Sequence, residues 1–306
     1  YDEIRASANE TPFGIAKFGS PTRSAWDVSD AERQKIYEEA WVIGGQALLF
    51  TFTDLLTDPE ANETACEFVH ARIRETVKNP AVAELLCPKD HPIGTKRLCL
   101  DSFYYETYNR DNVTLVDVKC TPISRIAPTG VIVGDKPYEI DDLVFATGFD
   151  AMTGATRDIE IVGETGARLN DKWSAGPQTY LGLMVAGFPN MYLITGPQSP
   201  GVKSQMILSI EYHVEMIAKM IDKIRCEGLT TVRADPNAQD AWVEHNNTVA
   251  NKTLYPAAAS WYMGANIPGK ARVFMPYVGG VKQYRTMCGK VMAENWRGFE
   301  FSADGE

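Results

Sequence analysis

The sequence predicts an α/β protein whose ligand lies at the carboxyl ends of apolar strands. Three observations predict it: helical periodicity through the first third, short alternating strands in the middle, and strands alternating with long amphipathic helices thereafter. A chain of 306 residues has room for two domains, and 44% hydrophobic with 23% charged residues is ordinary for a globular chain with a sizeable core.

Residues 1–92 read as helical. Ser29 and Glu32 make a capping-box pattern ahead of QKIYEEAW, and Gly44-Gly45 interrupt or end that helix. Cys66, Val69, Ile73 and Val77 recur at helical spacing until Pro80 stops the run. This region carries no obvious chemistry and reads as a layer packed on something else.

From Lys96 to Asp150 the period changes. Residues 113–118 (VTLVDV) and GVIVGD read as short strands with a turn between them. A polar stretch then leads into an apolar, parallel-type strand at 143–146, which ends on Thr147-Gly148. Glycine at such a strand end lets a ligand come close, and open α/β sheets bind ligands there.

Residues 151–306 continue the alternation. MYLITGP reads as an apolar strand ending at Gly196-Pro197. SQMILSIEYHVEMIAKMIDKI follows as a long helix with Ile207, Ile210, Val214, Ile217, Ile221 and Ile224 on its apolar face. Asp235 and Pro236 supply the N-cap and first position of another helix. RVFMPYVGG reads as a strand, a last helix runs over 284–293, and the tail SADGE is expected to fray.

The formal charge of −10 with scattered basic residues argues against nucleic acid and anionic membranes as main partners, and leaves room for a local basic spot that meets one phosphorylated cofactor. No apolar run approaches a membrane span and no signal peptide is visible, so a cytoplasmic location is expected. Six cysteines without CxxC pairing read as free buried thiols in a reducing compartment, and no metal site is expected. His70, His91, His213 and His245 are far apart and read as packing or surface residues. The glycine-rich G-x-G-x-x-G loop of dinucleotide-binding domains is absent, as are the P-loop, HExxH and GxSxG motifs.

Five strings, in order, cover nearly all of the chain: GTKRLCLDSFYYETYNRDNVTLVDV from Gly94, DDLVFATGFDAMTG from Asp141, NMYLITGPQSPGVKSQM from Asn190, ASWYMGANIPGKARVFMPYVGG from Ala259, and RGFEF. Together they resemble the type I Baeyer–Villiger monooxygenases; the 200–206 loop has the length found in the phenylacetone monooxygenase branch. The resemblance implies a partial flavoprotein of the two-dinucleotide-binding-domain type. Residues 1–92 would be the helical insertion of the NADPH domain, 93–148 the rest of that domain, and 149–306 the C-terminal part of the FAD domain. It also implies a preceding FAD-binding segment, which the start at Tyr1 suggests, and without which these residues alone are not expected to turn over.

The implied activity is conversion of ketones to esters or lactones with FAD, NADPH and O2 through a flavin peroxide. The alternatives are N- or S-oxygenation by a related flavin enzyme, or a non-catalytic fragment. Arg97 matches the family's essential arginine; taken alone it would suit a surface salt bridge equally well, but a permanently charged fork of donors suits oxyanion stabilisation. Leu98 stands where many members have proline. Lys96 matches the lysine on the NADPH 2′-phosphate, against the alternative of a solvated lysine. Trp261 matches a loop tryptophan reaching the nicotinamide, against plain packing. Ala146, Thr147 and Gly148 match a string near the cofactor. Pro200, Gly201, Val202, Lys203, Ser204, Gln205 and Met206 match the loop beside the flavin and the ketone, with Met206 as an adaptable wall. Lys203 departs from an apolar position; it either reaches solvent or meets a polar or anionic part of a bulky substrate.

Overall fold

The computed structural model describes residues 2–15 and 20–303. Ten helices and five strands are assigned among them. The helices are α1 (Asp2–Asn9), α2 (Asp30–Ile43), α3 (Pro59–Thr76), α4 (Pro80–Leu86), the single turns α5 (Tyr104–Thr107), α6 (Gly154–Arg157) and α7 (Leu169–Lys172), then α8 (Met206–Cys226), α9 (Pro236–Asn251) and α10 (Val281–Ala293). The strands are β1 (Ile123–Ala127), β2 (Gly130–Val133), β3 (Lys136–Glu139), β4 (Thr231–Ala234) and β5 (Phe299–Ser302). The mixed α/β class stands.

Local chemistry sets the helix ends. Ser29 caps α2 by accepting from the Glu32 N–H, and Gly44 follows Ile43 as the C-cap. The side chain of Glu32 pairs with Arg23 at 2.9 Å, so the reciprocal half of the expected box is directed elsewhere. Pro80 ends one helical run and opens another, because Asn79 caps α4 and proline at the first position forgoes only an orphan N–H. Asp235 caps α9 through the Ala238 N–H at 2.7 Å.

The β structure differs from expectation. β1–β2–β3 form an antiparallel meander with two-residue connections, Ala127 facing Gly130 and Val133 facing Lys136. β4 and β5 form a second antiparallel pair, which orders Ser302 of the expected frayed tail; residues 304–306 lie outside the described residues. Residues 113–118, 143–146, 191–197 and 272–280 are not strands. An apolar extended segment becomes a strand only when neighbours accept its backbone groups. Residues 143–146 find no such ladder among the described residues, and Val144 and Phe145 are 84% and 70% exposed. The segments at 191–199 and 272–277 are instead stitched into irregular buried loops: Leu193 N–H donates to Leu183, Gln198 N–H to Met275, and Tyr277 N–H to Ser199.

The main core joins α8, α9, α10 and β4–β5 around Leu183, Met184, Met216, Met220, Trp242, Tyr277 and Tyr284. Each such side chain contributes about 1.5–3 kcal/mol on burial. α8 turns inward a face rotated from the one its isoleucines predict, with Ile217 and Ile224 of the predicted face packing at its edge. Leu208, Tyr212, Met216 and Met220 are buried, whereas Ile207, Val214 and Ile221 are exposed. A second core lies in the helical third, around Tyr37, Phe52, Leu55, Ala61, Ala65 and Phe68. α1 packs away from it: Ala8 clusters with Leu208 and Val281, and Arg5 pairs with Glu211 of α8. Cys66, Cys87 and Cys288 are buried free thiols as expected, but Cys99, Cys120 and Cys226 are exposed. Among the described residues no helix is long and apolar enough to cross a membrane, and no His, Cys, Asp and Glu cluster could hold a metal ion.

Candidate active site

The 93–97 segment is held rigidly before it presents any charge. Asn62, 2% exposed within α3, donates to the Leu55 and Ile93 carbonyls at 2.6 and 3.0 Å and accepts from the Ile93 N–H at 2.9 Å. Thr95 is fully buried, its hydroxyl donating to Pro92. Two side chains therefore fix the backbone from which Lys96 and Arg97 project. Both line a cleft of about 460 Å³ together with Trp41, Gly45, His70 and Tyr105.

Arg97 crosses to the 200–206 loop, where its Nη1 donates to the Val202 carbonyl at 2.8 Å. No carboxylate pairs with it among the described residues, and it remains exposed. That loop is itself anchored by Gln198. Gln198 Oε1 accepts from Thr179, its Nε2 donates to Pro177, and its carbonyl accepts from Trp242 Nε1 at 3.1 Å. Pro200 and Gly201 are buried, and the Ser204 and Ser209 hydroxyls share a 2.7 Å hydrogen bond. Gln205 is committed as the α8 cap, accepting from Leu208 N–H, and Met206 is 37% exposed.

Lys203 does not reach for solvent. Its ammonium lies 3.9 Å from the Tyr255 ring centroid and 4.4 Å from that of Tyr262. Burial, and then the like charge of Arg97, push it down to about 7. Burial raises Tyr262 while the charge and hydrogen bond of Arg97 pull against it; burial raises Tyr255 far above the ordinary phenol range. Trp261 packs on the same aromatic cluster, 4.2 Å from Tyr262, and its indole N–H meets no acceptor among the described residues. Gly264 closes the turn after it at φ +68°, where a Cβ would stand 2.8 Å from the Ala271 carbonyl.

The structure thus brings Arg97, Val202, Lys203 and Trp261 together. It does not bring the other expected residues to that point. Lys96 lies 4.0 Å from Asp90, whose carboxyl is held well below its usual range by hydrogen bonds from Lys119 and His91. Ala146, Thr147 and Gly148 are exposed, but their continuation is tied to the Trp261 loop: Asn266 donates to Phe149 and Lys270 pairs with Asp150. Sequence reasoning missed Asn62, Tyr255 and Tyr262. Tyr262 adjoins Trp261 in a string already singled out; Asn62 and Tyr255 carried no signal.

No family model matches the chain. A Baeyer–Villiger monooxygenase of Pseudooceanicola batsensis is 39% identical over 301 residues, which are 97% of this chain and 54% of that protein. The chain is a homologue of Baeyer–Villiger monooxygenases. It spans about half the length of the curated relatives it matches. A phenazine N-monooxygenase of Lysobacter antibioticus is also 39% identical, over 92% of this chain and 52% of its own length. Among solved structures, OTEMO in complex with FAD and NADP superposes with a TM-score of 0.94 at 36% identity, covering 99% of this chain and 56% of that one. The Baeyer–Villiger resemblance drawn from five strings is therefore borne out along the whole chain.

Proposed function

We propose that this chain is the part of a flavin-dependent Baeyer–Villiger monooxygenase that supplies its arginine and its substrate loop, acting on ketones with NADPH and O2 to give esters or lactones. One observation carries the reading: Arg97 is a guanidinium fixed by a rigid backbone and one carbonyl, yet without a carboxylate partner among the described residues. A cation so held keeps donors available for negative charge on oxygen at the ketone carbonyl, and pays no reorganisation when that charge develops. The Val202 carbonyl orients the guanidinium, and Tyr262, from the aromatic cluster that holds Tyr255 and Trp261, meets it by a hydrogen bond.

The residues present fit both cofactors. At Gly148, φ +85°, a Cβ would meet nothing within 4 Å, which leaves the exposed Ala146–Thr147–Gly148 backbone open to close approach. These residues and Met206 would face FAD. Lys96, held only loosely by Asp90, would meet the 2′-phosphate of NADPH, and the Trp261 indole N–H would meet its nicotinamide end. When bound, FAD supplies activated oxygen using electrons from NADPH. Residues 1–92 and 93–148 are read as the helical insertion and remainder of an NADPH domain, and 149–306 as part of an FAD domain; the packing of Ala8 on Leu208 and Val281 favours counting the first residues with the last of these units.

In the holoenzyme, Arg97→Ala is expected to lower ester formation about 100-fold or more while flavin absorbance is retained. Ester formed at the wild-type rate would remove Arg97 from the chemistry. The likeness to a phenazine N-monooxygenase favours a second reading, N-oxygenation of an aromatic heterocycle. Product analysis on a cyclic ketone beside a phenazine separates the two.

A further inference from the structure

Lys203 is a charge that the proposed reaction does not require. It occupies the loop read as lining the ketone pocket, and it replaces the apolar side chain expected there. It is half-buried, its ammonium faces two tyrosine rings, and the charge that acts on it is Arg97, a second cation. Neither Lys203 nor Arg97 has a carboxylate partner among the described residues. Two uncompensated cations set close together, one of them half-buried, are costly unless an anion joins them. The tyrosine faces lower that cost without supplying an acceptor. Arg97 is anchored through Val202, the residue immediately before Lys203, so both cations are set on one stretch of backbone.

We propose that Lys203, beside Arg97, forms an anion subsite that selects ketones bearing a carboxylate. The inference rests on the ketone-oxygenating reading and deepens it by naming the substrate class. Lys203 acts here as a specificity-determining residue: it holds a substituent remote from the carbonyl, and no bond changes at it. Its depressed basicity agrees with this role, because an arriving carboxylate restores the ammonium that burial and Arg97 disfavour.

The test compares 4-oxocyclohexanecarboxylate with its methyl ester in the holoenzyme, for wild type, Lys203→Met and Lys203→Arg. Wild type is expected to favour the carboxylate in kcat/KM by about tenfold or more, the worth of one charge-assisted contact. Lys203→Met is expected to abolish that preference, bringing the carboxylate to the level of the ester in the same variant, and Lys203→Arg to keep most of it. A preference unchanged in Lys203→Met overturns the subsite and leaves the ketone reading intact. A raised KM for NADPH in its place also overturns it, since the lysine would then serve the nucleotide. Calorimetric binding of the carboxylate supplies a readout without turnover: Lys203-dependent binding with no ester formed sustains the subsite and overturns the ketone reading.

Discussion

His213 and Tyr284 are joined by a 2.8 Å hydrogen bond whose proton is assigned by their neighbours. The Thr195 N–H donates to His213 Nδ1 at 3.0 Å, so the neutral ring carries its proton on Nε2 and donates it to Tyr284. The Tyr284 hydroxyl in turn donates to the Leu181 carbonyl. One relay therefore ties α8, α10 and the 181–195 segment together inside the main core.

Burial pushes His213 down to about 4 from an ordinary 6.5. The unfolded chain then binds the extra proton between pH 6.5 and 4, so stability falls as the solution is acidified through that window. The loss from this group is on the order of 3 kcal/mol by pH 4. Thermal melts across that range should show the slope, and His213→Gln should flatten it while lowering stability at neutral pH. An equal slope in the variant would move the acid sensitivity elsewhere.

Lys203 has the same sign over a different window. Its folded value is about 7 against an ordinary 10.5, so the unfolded chain binds more protons between those limits and wild-type stability rises with pH there. The groups facing it are the Arg97 guanidinium and the phenols of Tyr255 and Tyr262, both of which burial raises above their ordinary value. Lys203→Met should melt higher than wild type below pH 7, with the gap closing as pH approaches 10.5. A gap independent of pH would mean that packing, not charge, separates the two proteins.

The Asp150–Lys270 pair is nearly enclosed, with side chains 12% and 13% exposed, and Lys270 also donates to the Ala151 carbonyl at 2.9 Å. Lys270→Met leaves Asp150 with Arg157 alone, at 2.8 Å. We expect a loss of about 2 kcal/mol, since a half-dismantled buried pair keeps its desolvation cost. Amides at 261–266 should exchange faster with solvent. Asp150→Asn combined with Lys270→Met should recover part of the loss in denaturant unfolding.

Leu183 is fully buried in the main core, so Leu183→Ala should cost about 2–5 kcal/mol, read as a lower denaturant midpoint with an unchanged slope.

What the sequence disclosed follows from how local each signal is. Ser29, Gly44, Asp235 and Pro236 act within one helical turn, and each marks the boundary it predicts. The strands at 143–146, 191–197 and 272–280 depend on partners distant in the chain, and composition cannot say whether a partner exists. α8 carries two apolar stripes, and periodicity cannot choose between them; tertiary packing takes the one with Tyr212, Met216 and Met220. The site divides in the same way. Arg97, Val202, Lys203 and Trp261 could be named from short strings, while Asn62, which holds the segment leading to Arg97 from inside a helix, carries no mark in the sequence that sets it apart from other helical polar residues.

The exposed stretch through Val144, Phe145 and Phe149 has a practical consequence for anyone handling the protein. It presents aromatic side chains and an unladdered backbone on the same short segment, the combination on which strands of separate molecules add to one another. Concentrated solutions of these residues on their own should therefore scatter light and lose material with time, and a charged replacement at Phe145 should slow that loss without altering the melt.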